Sequence, residues 1–547
     1  MLHSVMTSIT TVSLVFAAAT AGNAKERSVL VTAAMRRNAL RNATKFEWAR
    51  NRQESARALG ERWAKLSDEA LWEMVPSQGL PRDIHTNKAV GCPNCGDKIL
   101  PFGNYPWKHD LLARPWKLTC PGCSEVYPRN DFGAFYVSAL DEHGRFHRER
   151  GDRSLLFNSE HPDPNDPLHK VYVDDGVGMV DEKGNRHRMI AYYTEWAQWG
   201  SVRRAVNDLA MAYTLTDDRR FAHKAAVLLD RVADVYPAMD YGIQAELGLE
   251  SSRPGCPGRV VDYVWECRHS WNRASAYDRV FDGIQGDEAL AAFCSRQAAR
   301  YKLGEKHSVA DVCRHIEQNI LIDQLQAVKD IRINGNNGAH HLTALMTAIA
   351  LDRGAVTTTY LDWLFEPTFP GCGSPRHVPP GGMPLMLVSG LDRDGMGGEC
   401  GSYGLGWVFR FVEIAEVLAD YPAYTNNNLL RDFPKLKQCF LVAPRMLCLD
   451  AALPNIGDSG STGYWGRPGA AQFYARGYRL YRDPAMAATA MRYADGNPRA
   501  LRQADAIFDA DPTALEKEIA TAAASVPFTV RCEHLGRYGQ AVLQTEK

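Results

Sequence analysis

Net charge is almost absent from this chain. Its 63 lysines and arginines face 64 aspartates and glutamates, leaving a formal −1 at pH 7. A nucleic-acid binder carries a basic excess or stripe, and neither is present, so nucleic acid is not an expected partner. An acidic polymer would have to be recognised by local Arg, Lys, Asn and His, not by a global field. Long apolar runs are lacking after the first two dozen residues, so no membrane span and no membrane partner are expected. Framework spacing is also missing from nine of the 13 cysteines (Cys256, Cys267, Cys294, Cys313, Cys372, Cys400, Cys439, Cys448 and Cys532). That odd remainder leaves at least one thiol outside any intramolecular pair. Cys256 and Cys267 could pair in an oxidising compartment.

What is present is ordinary globular text: 45% hydrophobic and 23% charged residues over 547 positions. Disordered and fibrous classes are thereby excluded, and the length suits two to four domains. Ser8 to Ala21 is uncharged and rich in Ala, Thr, Val and Leu. It ends in an A-x-A pattern at Ala19-Thr20-Ala21, before the charged Lys25-Glu26-Arg27. Residues 1–24 therefore read as a signal peptide, although His3 is the sole basic group ahead of the apolar run. An Ala-rich first helix is the alternative. A signal peptide implies a periplasmic or secreted protein.

Residues 25–79 read as helical, with Ser67-Asp68-Glu69 resembling a helix start. Residues 80–185 change character: Gly, Pro, Asp and aromatic residues crowd in, and Phe132 to Ala139 reads as a strand leading into a turn. From 186 to 524 helical periodicity dominates. In Arg219 to Pro237, Phe221, Ala225, Leu228, Val232 and Val235 recur at steps of four, three, four and three, which makes one helical face. Similar patterns run through Tyr192–Tyr213, Val260–Phe281, Asp287–Tyr301, Val309–Val328, His340–Leu351, Trp407–Leu418 and Phe433–Leu449. Successive helices with short loops suggest stacked hairpins, and an (α/α) toroid fits them. Pro367 to Tyr403 interrupts them as one long Gly- and Pro-rich stretch of the kind that is usually functional. Phe528 to Gln544 alternates like a strand. Residues 525–547 thus read as the start of an antiparallel β-sheet domain, apparently truncated.

Two C-x-x-C pairs, Cys92/Cys95 and Cys120/Cys123, stand 24 residues apart. Four thiolates at this spacing match a tetrahedral zinc site. With all ligands supplied by protein, the zinc would be closed and structural, within a zinc-ribbon-like insert, and would take no part in bond cleavage.

Two further motifs carry chemistry. Asn334-Gly335-Asn336-Asn337-Gly338-Ala339-His340-His341 opens a helix, where an Asn would serve as N-cap and where amides and imidazoles gather. About sixty residues on, Asp392-Arg393-Asp394-Gly395-Met396-Gly397-Gly398-Glu399-Cys400-Gly401-Ser402-Tyr403 leads into the next helix. It lacks the preceding strand and glycine spacing of a dinucleotide fingerprint.

Together these motifs resemble the heparinase II/III-like and alginate lyase superfamily. Leu71-Trp72, Gly91-Cys92-Pro93, Tyr193-Thr194-Glu195-Trp196 and Pro454-Asn455-Ile456-Gly457-Asp458 share the likeness, which extends over most of residues 60–547. The resemblance implies a mainly α fold, an (α/α) toroid with a C-terminal antiparallel β-sheet domain. It implies a polysaccharide lyase acting by β-elimination on an acidic, uronate-containing glycan, with no organic cofactor. Carried over residue by residue, Asn337 would bind the substrate carboxylate, an adjacent His would assist and Tyr403 would transfer protons. The chain departs from the pattern in placing Gly338 where a relative has His. His341, one turn on, could reach the same face, with His340 the other choice.

Asn336, Glu399, Trp196 and Arg268 are candidate substrate contacts. Glu195 and Arg268 otherwise read as solvated helix faces, and Trp199, Trp265 and Trp271 as core or cleft. A glycoside hydrolase is the nearest rival. It would need two carboxylates, for which Asp394, Glu399 and Asp458 are available. A non-catalytic glycan-binding protein is the third reading.

Overall fold

A computed structural model describes residues 24–83, 90–242, 258–336, 338–367, 381–397, 401–448, 453, 470–526 and 532–543; at positions 263, 264 and 401–403 it describes the backbone alone. The protein is mainly helical, with three small antiparallel sheets among the described residues. It groups into two compact units, residues 56–334 and residues 1–55 with 335–547.

In the 56–334 unit, helices Gly200–Thr216, Arg219–Val235 and Tyr263–Ile284 pack on one another. The stripe read from sequence in Arg219–Val235 is the face that packs: Phe221, Ala225, Leu228 and Val232 are fully buried. Each buried Leu, Val or Phe side chain contributes roughly 1.5–3 kcal/mol. The chain turns between the first two helices because Asp217 takes a left-handed conformation and the Asp218 carboxylate accepts from the Arg220 N–H. So short a link requires antiparallel neighbours. Helices Glu288–Arg300 and Val309–Ile316 add to the same face of the unit.

Two expected helices contain a wider π turn, Thr194–Trp199 within the run Met189–Thr216 and Glu317–Ile322 within the run Val309–Lys329. A π turn inserts a residue and rotates everything after it onto a new face; such insertions concentrate at functional sites.

Phe132 to Ala139 is a helix and not the expected strand: it runs Phe132–Ser138 and is capped by the Asp131 carboxylate, which accepts from the Ala134 N–H at 3.0 Å. Phe132, Phe135 and Ala139 are all buried. Their spacing of three and four matches one helical face, and that outweighed the aromatic β-propensity of the segment. The early helical segment is Ala33–Lys45, Glu47–Ala64 and Asp68–Met74. Ser67 caps the last of these by accepting from the Ala70 N–H.

In the 335–547 unit, helix Ala339–Leu351 packs on Gly354–Leu364 and on Gly401–Ala419. Ala471–Tyr481, Pro484–Tyr493 and Ala514–Ala523 form a second group, inside the range expected to be helical. The stretch expected to be irregular holds a short helix, Met383–Ser389, with Met383, Met386 and Leu387 buried along one side. The expected C-terminal strand character is a hairpin, Glu533–Leu535 paired with Gln540–Val542.

Candidate functional site

The four cysteines of the C-x-x-C pairs converge. Their sulfurs lie within 4.8 Å of one another. Cys92 Sγ stands 3.7 Å from Cys123 Sγ, and Cys95 Sγ 3.7 Å from Cys120 Sγ. A tetrahedral ion with metal–sulfur bonds of about 2.3 Å needs sulfurs about 3.8 Å apart, so these side chains can hold a metal ion. The backbone explains the convergence. Cys92 and Gly96 exchange hydrogen bonds at 3.1 and 2.9 Å, with Gly91 and Gly96 both in the left-handed region. The second pair occupies the turn between strands Leu118–Thr119 and Val126–Tyr127, which the Cys120 and Ser124 amides close at 2.9 Å. Trp107, Leu118, Tyr127 and Met189 pack around the cysteines.

The helix carrying His340 and His341 begins differently from expectation. Gly338, with φ 73°, occupies the N-cap position and no Asn side chain caps the helix. Asn336 supplies its backbone carbonyl to the Ala339 N–H at 3.0 Å instead. A left-handed residue here turns the chain sharply, a conformation that glycine takes without strain. Asn337 lies outside the described residues.

The two imidazoles lie with centroids 4.1 Å apart, tilted by 37°, and are 1% and 0% exposed. His340 Nδ1 donates to the Gly335 carbonyl at 2.9 Å, which fixes the tautomer and leaves Nε2 as the acceptor nitrogen. Neither His341 nitrogen makes a hydrogen bond of good geometry. Burial drives the His341 pKa well below its ordinary value, His340 adds to this, and the Gly381 backbone opposes it. His341 is therefore a neutral imidazole.

Helix Gly401–Ala419 packs against this opening. A Cβ at Gly338 would stand 3.4 Å from Arg410 Cγ and from the Phe411 ring. Position 403 lies in the first turn of that helix, seven residues before Arg410, or about 10 Å along the axis. The helix that follows the second motif therefore packs on the helix that follows the first, with position 403 about two turns from that contact. Glu399 lies outside the described residues, as does Asp458. Asp394, a candidate hydrolase carboxylate, is engaged elsewhere: its Oδ2 accepts from the backbone N–H of Arg537 at 3.0 Å and of Tyr538 at 3.2 Å, holding the C-terminal hairpin.

Trp196 and Arg268 belong to the 56–334 unit. Trp196 is half-buried against Tyr105, centroids 4.7 Å apart, and Arg268 is exposed as expected. Glu195 is not on a solvated face: the π turn carries it inward to 5% exposure. Its Oε1 is 3.3 Å from His269 Nε2. Burial, reinforced by the charge of Glu266 and opposed by Arg82, Arg203 and Arg273, pushes the Glu195 pKa up to about 8. Burial, together with Arg203, Arg273 and Arg268 and against Glu266, takes His269 down to about 3. Both groups are neutral near pH 7. Sequence reasoning missed this pair because a π turn leaves no periodic signal. The one available sign was an acidic residue inside the aromatic run Tyr192-Tyr193-Thr194-Glu195-Trp196.

No protein-family model matches the chain, and no curated protein is detectably similar to it. Among the described residues no helix is long and apolar enough to cross a membrane.

Proposed function

We propose that this protein is a polysaccharide lyase that cleaves a uronic-acid-containing glycan by β-elimination. The observation that carries the reading is the close, buried His340–His341 pair, with His341 neutral, at a glycine-started helix opening packed by the helix that bears Tyr403. The C5 proton of a uronate is weakly acidic because its carboxylate is already negative. Amide and neutral imidazole donors aimed at that carboxylate stabilise the dianion that develops as the proton leaves. Asn337 and His341 have this role, with Asn336 and Glu399 beside them in sequence as substrate contacts. His340, its tautomer fixed, orients the pair. Tyr403 takes the C5 proton as phenolate and, as phenol, returns it to the departing O4. The C5–H electrons become the C4=C5 bond and the C4–O4 bond breaks, so no water is consumed.

In this reading the helices form an (α/α) toroid and the cysteine knuckles a zinc-ribbon-like insert. The ion is zinc, acting structurally, since four thiolates leave no position for water. The chain works in the periplasm or outside the cell. The hydrolase alternative loses support from the engagement of Asp394 in the hairpin. The test is ultraviolet absorbance of products from a screen of uronate polysaccharides. Elimination creates a conjugated double bond and absorbance rises; hydrolysis leaves none. Tyr403→Phe should cut turnover by about 100-fold or more. Full turnover in that variant would end the proposal.

A further inference from the structure

Buried polar atoms without partners gather in one part of the 56–334 unit. Glu195 Oε2, Gln198 Oε1, Trp199 Nε1 and Arg203 Nε make no hydrogen bond. All four stand on the π turn or the first turn after it. The neighbouring Glu266 is the contrast. It accepts from the Val260 and Val261 amides, from Arg273 and from Ser270, which is what a structural carboxylate looks like. The second π turn is likewise satisfied, its Glu317 accepting from the Tyr277 hydroxyl at 2.5 Å. Buried polar groups are nearly always partnered, and a cluster of exceptions calls for a reason.

Three further facts meet there. A small cavity of about 10 Å³, room for one water, has Trp199, Arg203, His269, Asn272 and Arg273 among its walls. Burial and the nearby Arg268 both disfavour the charge of Arg203, and neither guanidinium has an ion-pair partner among the described residues. Beside them Tyr105, Trp196 and Trp265 form a continuous aromatic cluster, with Tyr105 at 4.7 Å from Trp196 and 6.2 Å from Trp265; Trp265 is 36% exposed. Trp265, Arg268 and His269 lie one turn apart on helix Tyr263–Ile284 and so share a face.

We infer that this cluster is a binding site for an acidic sugar unit, with the Tyr105–Trp196–Trp265 face taking the ring and Arg203 and Arg268 taking the carboxylate. The choice of a uronate as the acid rests on the lyase reading above. Two guanidinium groups without an ion-pair partner among the described residues supply the planar donors that a carboxylate accepts. The neutral carboxyl of Glu195 keeps a competing anion out of the site and offers a donor to the sugar hydroxyls. Aromatic faces suit the apolar side of a pyranose, as they do other flat ligands.

The experiment measures binding, apart from turnover. Calorimetry on the full chain uses tetrasaccharides of hyaluronan, alginate and polygalacturonate, each beside its carboxyl-reduced, uncharged counterpart. At least one acidic tetrasaccharide should bind ten-fold or more tighter than its reduced form. Arg268→Gln should abolish that preference while leaving the reduced sugar's binding unchanged. Trp265→Ala should weaken both. Both substitutions fall at exposed positions, and an unchanged thermal melt confirms the fold. The inference is overturned if all three acids bind no better than their reduced forms, or if Arg268→Gln retains the preference. Arg268-dependent binding without ultraviolet-absorbing product would end the lyase reading and keep this site; turnover with no Arg268 dependence of binding would do the reverse.

Discussion

Glu195 Oε1 and His269 Nε2 face one another 3.3 Å apart in the interior, both uncharged at neutral pH. The pairing has a consequence for stability. A carboxyl whose pKa rises from 4.5 in the open chain to about 8 in the fold holds a proton that the unfolded chain releases. The contribution of Glu195 to folding stability therefore falls as pH climbs from about 4.5 and levels off above about 8. Burial sets the shift, Glu266 adds to it, and Arg82, Arg203 and Arg273 oppose it. Glu195→Gln removes the effect, so its stability relative to the native chain should grow with pH across this window, by at most about 5 kcal/mol. Urea unfolding at a series of pH values measures this. Parallel pH curves for the two proteins would show that Glu195 is ionised in the fold.

The four-sulfur site predicts one tightly held metal ion per chain. Cys95→Ala should lose the ion and unfold the packing around Trp107, Leu118 and Tyr127, which rests on the knuckles. Metal analysis and hydrogen exchange read both effects together. A Cys95→Ala protein that keeps its metal and its amide protection would refute a structural role. Chelator treatment should reproduce the mutant, because the binding free energy of such a site is folding free energy.

The helices of the long central run were legible because burial writes a period of 3.6 into the sequence, as in Phe221, Ala225, Leu228 and Val232. The cysteine site was legible because a metal ligand set is a matter of spacing. The segment Phe132–Ser138 was misread because three aromatic residues in seven mimic a strand, and only the Asp131 cap and the burial of Phe132 and Phe135 decide for a helix. The helix Ala471–Tyr481 falls in the range expected to be helical, without its bounds being legible. At the candidate site, the helix that follows the second motif packs on the helix that follows the first. The left-handed Gly338 was not readable, because an Asn-rich run advertises an Asn cap. Nor was the inward turn of Glu195: a π insertion changes which face a residue occupies without changing any residue.

Lys306 holds two buried carboxylates at once, with Nζ 2.8 Å from Asp230 Oδ2 and 2.9 Å from Asp234 Oδ1. His315 Nδ1 completes the cluster at 2.8 Å from Asp230 Oδ1. Removing one partner of a buried charge pair strands the other, which costs about 3–5 kcal/mol. Lys306→Met should lose that amount in urea unfolding, and Lys306→Met with Asp234→Asn should recover at least half of it. A single mutant within about 1 kcal/mol of the native chain would mean that water reaches these carboxylates.

Gly338 separates stability from function. Its φ of 73° is left-handed, and a side chain there costs about 1–2 kcal/mol. A Cβ would meet Arg410 and Phe411 at 3.4 Å, an ordinary contact, so the cost of Gly338→Ala is conformational and not a clash. Relief of that strain rotates the helix opening and with it His340 and His341. Gly354 provides the control: it too has positive φ, 45°, it too begins a helix of the same unit, and its Cβ would meet nothing within 4 Å. Both Ala variants should lose about 1 kcal/mol by thermal unfolding. Only Gly338→Ala should also lose turnover on the uronate glycan, by about ten-fold or more, because a shift of about 1 Å in a donor group weakens charge stabilisation far more than it weakens packing. Equal turnover in the two variants would detach the helix opening from the chemistry.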